Sequence, residues 1–172
     1  LCQVRYGQDK VLTRLNNTIE DMQLLVDTLL AIARNTTNTL STEQRLLSHI
    51  IDELVSDLEV VSQAKGMTID VQHPAQEQPR ALYPSMTKMV LSNILRNALN
   101  YSQGSDIQVQ DLSHAQLAVN AKGHGIGLQL VQKLCKQLGW RVELFDRQYY
   151  LSTHPTLALK NSSGLIVVVY LN

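Results

Sequence analysis

"NILRNALNYSQG" spans residues 93–104, and "GHGIGLQLVQKLCKQLGW" spans residues 123–140. The reading of these two stretches decides the fold. Upstream of and within the first, Met86, Val90, Ile94 and Ala98 recur every fourth residue, which predicts a helix from about 84 to 101 with one apolar stripe. Asn93, Asn97 and Tyr101 form the neighbouring stripe at the same spacing, and Asn100 follows at the next turn. Asparagine is a poor helix former because its amide competes with the backbone for hydrogen bonds. A row of amides beside an apolar row describes a helix that packs on a sheet and also walls a polar pocket. The alternative is solvent-facing asparagine on an ordinary amphipathic helix.

An amide oxygen is a neutral, hard ligand suited to Mg²⁺, an ion that keeps several waters and binds phosphate as well. The second stretch places Gly123, Gly125 and Gly127 just before a helix, about 126–138, that buries Val131, Leu134 and Leu138 and stops at Gly139. Glycines there let the backbone approach a ligand closely, and the free N–H groups of a helix start attract phosphate. The triad does not follow the dinucleotide-binding order, because no βαβ unit with a downstream acid is present.

Working outward, residues 8–34 read as one long helix. Leu12, Leu15, Ile19, Met22, Val26, Leu29 and Ala33 alternate spacings of three and four, a heptad seam that requires a partner helix. Val11, Leu25 and Ile32 widen the stripe toward a helical bundle. "NTTNTLST" (35–42) reads as a linker closed by a helix start signal in "STEQ". A helix over 43–64 follows, with Leu47, Ile50, Leu54, Leu58 and Val61 on one face and Lys65-Gly66 at its end. "MTIDVQ" reads as a strand, "HPAQEQPR" as a loop, and "SDIQVQDL" with "AQLAVN" as a strand pair. "WRVELF", "QYYLS", "TLALK" and "GLIVVVYL" read as further strands. The expected class is α+β, a two-layer α/β sandwich with a mostly antiparallel sheet, preceded by a long bundle-forming helix.

Composition narrows the function. Fifteen basic and fifteen acidic residues give a formal net charge of zero, so there is no electrostatic case for nucleic acid or for an anionic membrane surface. Cys2 and Cys135 lie far apart, which is neither a disulfide framework nor a metal spacing, and fits a reducing cytosol. No apolar run approaches the roughly 18 residues of a membrane helix. No signal peptide opens the chain and it starts without Met, which predicts a fragment of a longer protein.

Together these stretches resemble the catalytic, ATP-binding domain of bacterial sensor histidine kinases, of the Bergerat-fold (GHKL) ATPase superfamily. "MVLSNILRNALNYS" looks like the family's N box. "GHGIGLQLVQKLCKQLGW" looks like its second glycine box, and "LNNTIEDMQLLVDTLLAIAR" resembles the second helix of the dimerisation and histidine-phosphotransfer domain. The resemblance implies two domains, residues 1–36 and 37–172. It implies ATP and Mg²⁺ as cofactors, with Asn97 as the metal ligand and Asn93 on the same wall one turn earlier. Tyr101 would lie near the nucleotide, and Asn100 where many relatives carry a basic residue. Gly123, His124, Gly125, Ile126, Gly127 and the N–H of Leu128 would surround the phosphates. It further implies a homodimer through residues 8–34, a response-regulator receiver domain as partner, and a cytoplasmic position in an inner-membrane sensor whose membrane parts lie outside this chain.

The sequence departs from the family in two ways. The helix that carries the phosphoacceptor histidine is not recognisable, and Ser48-His49 lacks the residues that would follow such a histidine. The family's Asp-x-Gly-x-Gly box, whose Asp recognises the adenine amino group, and the lid after it are also absent. "AQLAVNAKGHGIGL" runs from a strand straight into the second glycine box, with Asn120 about where the Asp is expected. A degenerate relative, a deleted lid, and a segment missing from this sequence between Val119 and Gly123 are the three readings.

Overall fold

The computed structural model describes positions 11, 12, 15, 18, 19, 22, 26 and 30, and then residues 41–101, 106–112, 116–121, 126–154 and 165–171. Side chains are described throughout these except at 101, 112, 116–121 and 126–130. The chain divides into two compact units, Leu1–Leu40 and Ser41–Asn172. In the first unit the described positions are helical. Val11, Leu12, Leu15, Ile19, Met22, Val26 and Leu30 are 45–64% exposed there.

The second unit runs β1 (Glu43–Arg45), α1 (Leu47–Ala64), β2 (Thr68–Gln72), β3 (Arg80–Leu82), α2 (Pro84–Tyr101), β4 (Asp106–Leu112), β5 (Gln116–Ala121), α3 (Ile126–Gln137), β6 (Arg141–Asp146), α4 (Arg147–Thr153) and β7 (Leu165–Tyr170). Five strands form one sheet in the order β2-β4-β5-β7-β6; β1 and β3 form a separate pair. Only β2–β4 is parallel; β4–β5, β5–β7 and β6–β7 are antiparallel. The α+β class read from the sequence is the class observed.

Burial follows the periodicities. On α1, Leu47, Ile50, Ile51, Leu54 and Leu58 are buried at helical spacing, and the helix packs on α2 and β2. Val61, expected on that face, is exposed, and Ser62 is buried in its place with its hydroxyl on the Glu59 carbonyl. The strand "LIVVVY" is buried on both faces, which explains its unbroken apolar run. Ile166 and Val168 pack with Tyr150 of α4, and alternation leaves Val167 and Val169 buried on the opposite face.

Both long stop signals work as read. Gly66 (φ +63°) and Gly139 (φ +72°) adopt the left-handed conformation after α1 and α3. Met67 N–H then donates to Ser62 O at 2.9 Å and Trp140 N–H to Cys135 O at 2.7 Å, so each helix closes in the same six-residue hydrogen-bonded loop.

Two expectations are corrected. Residues 43–45 are not the first turn of a helix. They form β1, antiparallel to β3 with Glu43 opposite Leu82 and Arg45 opposite Arg80, because a ladder of backbone bonds outweighs the small helix preference of Glu, Gln and Arg. "QYYLS" is not a strand but the body of α4. Asp146 caps it, its carboxylate accepting from Gln148 N–H at 2.9 Å and Tyr149 N–H at 3.1 Å, and Tyr150 supplies the buried anchor. The expected strand "TLALK" lies outside the described residues.

Candidate functional site

The polar wall of α2 is buried inside the fold. Met86, Val90, Ile94 and Ala98 are buried as the stripe predicts, with Leu91, Leu95 and Leu99 buried beside them. Asn93 is 0% and Asn97 8% exposed, so the alternative of solvent-facing amides does not hold. Asn93 Nδ2 donates to Met89 O at 2.9 Å, one turn back along the same helix. Its Oδ1, and Nδ2 of Asn97, are buried without a hydrogen-bond partner among the described residues. A buried polar atom left unpaired costs about 1–3 kcal/mol. An amide can also rotate about its terminal torsion and exchange O for N without changing shape. The pair therefore offers a hard oxygen acceptor that no other described residue engages.

Besides α1, α2 packs on the elements on either side of the glycine stretch. α2 packs on both β5 and α3. β5 carries the chain to Ala121 and α3 receives it at Ile126. Gly123, His124 and Gly125 lie outside the described residues. Ile126, Gly127 and Leu128 form the first turn of α3, where backbone N–H groups have no intrahelical acceptor.

The remaining candidates divide. Asn100 joins two helices: its Oδ1 accepts from Lys65 Nζ at the end of α1, and the same ammonium donates to Leu99 O at 3.4 Å. Tyr101 is the last residue of α2. Asn120 lies in β5 opposite Ile166 of β7, and Ala121 opposite Leu165. His49 is exposed on α1. Among the described residues no group of three or more His, Cys, Asp or Glu is arranged to hold a metal. Burial pushes the Cys135 thiol up to about 12, which makes it a core residue and not a nucleophile.

Sequence reading missed a polar cluster around one buried carboxylate, Asp111. Asp111 on β4 is 3% exposed and faces Arg80 of β3, with Oδ1 to Nη2 at 3.5 Å. Glu77, in the β2–β3 connection, accepts from Ser48 N–H at 3.1 Å. His73 in the same connection sits 2.9 Å from Asp52 of α1. The cluster gathers residues from four separate segments, and nothing in their spacing signals it.

The fold is that of histidine-kinase catalytic domains. The solved cytoplasmic segment of histidine kinase QseC matches 90% of this chain and 94% of its own with a TM-score of 0.66 at 24% identity. The catalytic domain of histidine kinase ThkA matches 76% of this chain with a TM-score of 0.55 at 14% identity. Full-length ShkA in complex with AMPPNP matches 87% of this chain with a TM-score of 0.60 at 15% identity. The curated relatives agree. Sensor protein QseC of Salmonella typhi is 28% identical over 128 residues, and sensor histidine kinase CpxA of Klebsiella pneumoniae is 27% identical over 103 residues. These matches cover 73% and 59% of this chain but only 28% and 23% of the relatives' lengths. No protein-family model matches the chain.

Proposed function

We propose that the second unit is the ATP-binding part of a two-component sensor histidine kinase, which transfers the γ-phosphoryl group of ATP to a histidine and onward to an aspartate of a response-regulator receiver domain. The observation that carries this reading is the buried amide pair Asn93 and Asn97, with unpaired polar atoms on the helix that packs against β5 and α3. That donor set fits Mg²⁺ bound to phosphate. Asn97 Oδ1 would hold the ion, Asn93 would line the same wall, and the N–H groups at the start of α3 with the glycines before it would receive the phosphates. Bound Mg²⁺ supplies neutralisation of the phosphate charge. The chain's own contribution is positioning: α2 fixes the amides on a rigid helix, and the α3 start aims N–H donors at developing charge. Residues 1–36 would be the second helix of the dimerisation domain, pairing through 8–34 with a second copy. Residues 37–172 would be the catalytic domain, held on the cytoplasmic side of the inner membrane by parts outside this chain. Among the described residues no helix is long and apolar enough to cross a membrane.

Calorimetric titration of ATP with Mg²⁺ and with a chelator, on the wild type and Asn97→Ala, tests this. Mg²⁺-dependent binding in the wild type, lost in Asn97→Ala with the circular dichroism spectrum retained, is the expected result. One observation favours a second reading, a non-catalytic module of the same fold. Residues 116–128, "QLAVNAKGHGIGL", contain no Asp or Glu to accept a hydrogen bond from a base amino group. A hydrogen bond involving a charged group is worth roughly 1.5–3 kcal/mol, so affinity about ten- to a hundredfold below that of a site with the carboxylate is expected. No binding at millimolar nucleotide would select the second reading.

A further inference from the structure

We propose that the groove between α1 and the outer edge of β2 docks an extended segment of another protein, one with a cationic side chain at each end and an apolar one between. The segment joins the sheet as a further strand beside β2. β2 is the end strand of the five-stranded sheet. Its inner edge pairs with β4, and among the described residues no strand lies along the outer one. An edge strand directs every second N–H and C=O outward, a ready template for another chain.

The groove suits such a segment in size and lining. It encloses about 430 Å³, with Asp52, Val55, Ser56 and Glu59 of α1 on one side and Met67 and Ile69 on the other. The α1 residues recur at spacings of three and four and so form one stripe, which continues to Gln63. At the helical rise, residues 52 to 63 span about 16 Å. An extended segment of about five residues spans about 17 Å. Val55 and Ile69 are only partly buried, so the groove keeps apolar surface that the fold does not cover.

Charge selects the occupant. The ionisable groups lining the groove are Asp52 and Glu59, both carboxylates. The other acids of α1, Glu53 and Asp57, are paired with Lys88 of α2 at 3.7 and 3.0 Å. Asp52 instead meets the His73 ring at 2.9 Å, and Glu59 accepts from the Gln63 amide at 3.1 Å. Lys65, beside the groove in sequence, directs its ammonium to Asn100 and to Leu99 O. Two copies joined edge to edge through β2 would set one such pair of carboxylates against another. Like charge therefore opposes a second copy and favours a cationic partner.

Spacing fixes the pattern. Asp52 and Glu59 are two turns apart, about 10.5 Å along α1. On an extended strand the first and fifth side chains share a face about 13 Å apart. The flexible stems of Lys or Arg take up the difference. The third side chain then faces Val55 and Ile69. Main-chain bonds to β2 supply affinity, and the alternate side chains supply specificity.

Titration of the full chain with a blocked Lys-Thr-Val-Thr-Lys peptide, followed by ¹⁵N NMR, tests this. Saturable amide shifts are expected at 52–63 and 67–72, weakening with added salt. Glu59→Gln should weaken binding about two- to fivefold, and Glu59→Lys should abolish it with the circular dichroism spectrum retained. On the wild type, the same peptide with Glu in place of Lys, or N-methylated throughout, should not bind. Equal binding of either control peptide overturns the proposal, and so does the absence of shifts in the groove at millimolar peptide. Concentration-dependent shifts at 67–72 without peptide would assign the groove to a second copy and overturn it equally.

Discussion

At the scale of single residues, the fold and the candidate site make opposite demands on α2. Asn93 and Asn97 stand where leucine would pack, and each has a buried polar atom with no partner among the described residues. Such atoms persist in native proteins where a ligand or water completes them. Replacing the amide by an apolar group of similar size removes the unpaired atom and adds helix propensity. Asn93→Leu should therefore raise the stability of the ligand-free chain by about 1 kcal/mol, an upward Tm shift of about 2–4 °C for a chain of this size. It should at the same time weaken Mg²⁺-dependent nucleotide binding. Thermal unfolding without nucleotide checks the first half, and a lower Tm would mean that Asn93 is a structural residue held by its bond to Met89 O. These amides were legible because a polar residue repeated at helical spacing within an apolar pattern is a strong signal. Asp111 was not, because its significance lies in Glu77 and Arg80, which only the tertiary fold brings near it.

Among the elements, the long helices and their glycine stops could be read from periodicity alone, and the two errors have separate causes. β1 exists only because β3 lies alongside, and no local preference in "EQR" announces a strand. In α4 the paired tyrosines suggested a strand, yet the deciding residue was Asp146, a capping side chain just before the helix. Its two accepted hydrogen bonds replace partners that the first N–H groups of a helix otherwise lack. Asp146→Ala should thus destabilise the unit by about 1 kcal/mol. α4 is anchored by Tyr150 against Ile166 and Val168, with the Tyr150 ring also 4.8 Å from Phe145 and stacked at 4.2 Å on His154. Fraying of α4 should therefore appear as increased exchange of the amides at 148–153 before global unfolding, measured by hydrogen exchange with mass spectrometry. Asp146→Asn, which keeps an acceptor oxygen, should restore most of the protection.

For the whole molecule, the sequence itself changes period along its length: a seam of threes and fours before residue 35, then mixed elements after residue 41. The order of the five strands was not legible, since periodicity says which face a strand buries and not which strand lies beside it. The seam raises the question of association. Leu12, Leu15, Ile19, Met22 and Val26 are all more than two-fifths exposed in a single copy. Fully burying one such side chain is worth about 1.5–3 kcal/mol, and a contiguous apolar stripe of this kind invites a partner. Several such residues together exceed the few kcal/mol of side-chain ordering that an interface requires, although lost translational and rotational freedom opposes association by at least about 4 kcal/mol. A dimer through this helix is the expected state at high protein concentration. Placing a charge in the seam, as in Leu15→Asp, would bury two unpaired carboxylates at a symmetric interface and should shift the equilibrium to monomer. The same substitution at an exposed position of a lone helix should leave stability almost unchanged. Sedimentation of the wild type and Leu15→Asp over a concentration series separates the two cases. A wild type that stays monomeric at every concentration, or a variant that associates equally well, would mean that this stripe is not the dimer interface.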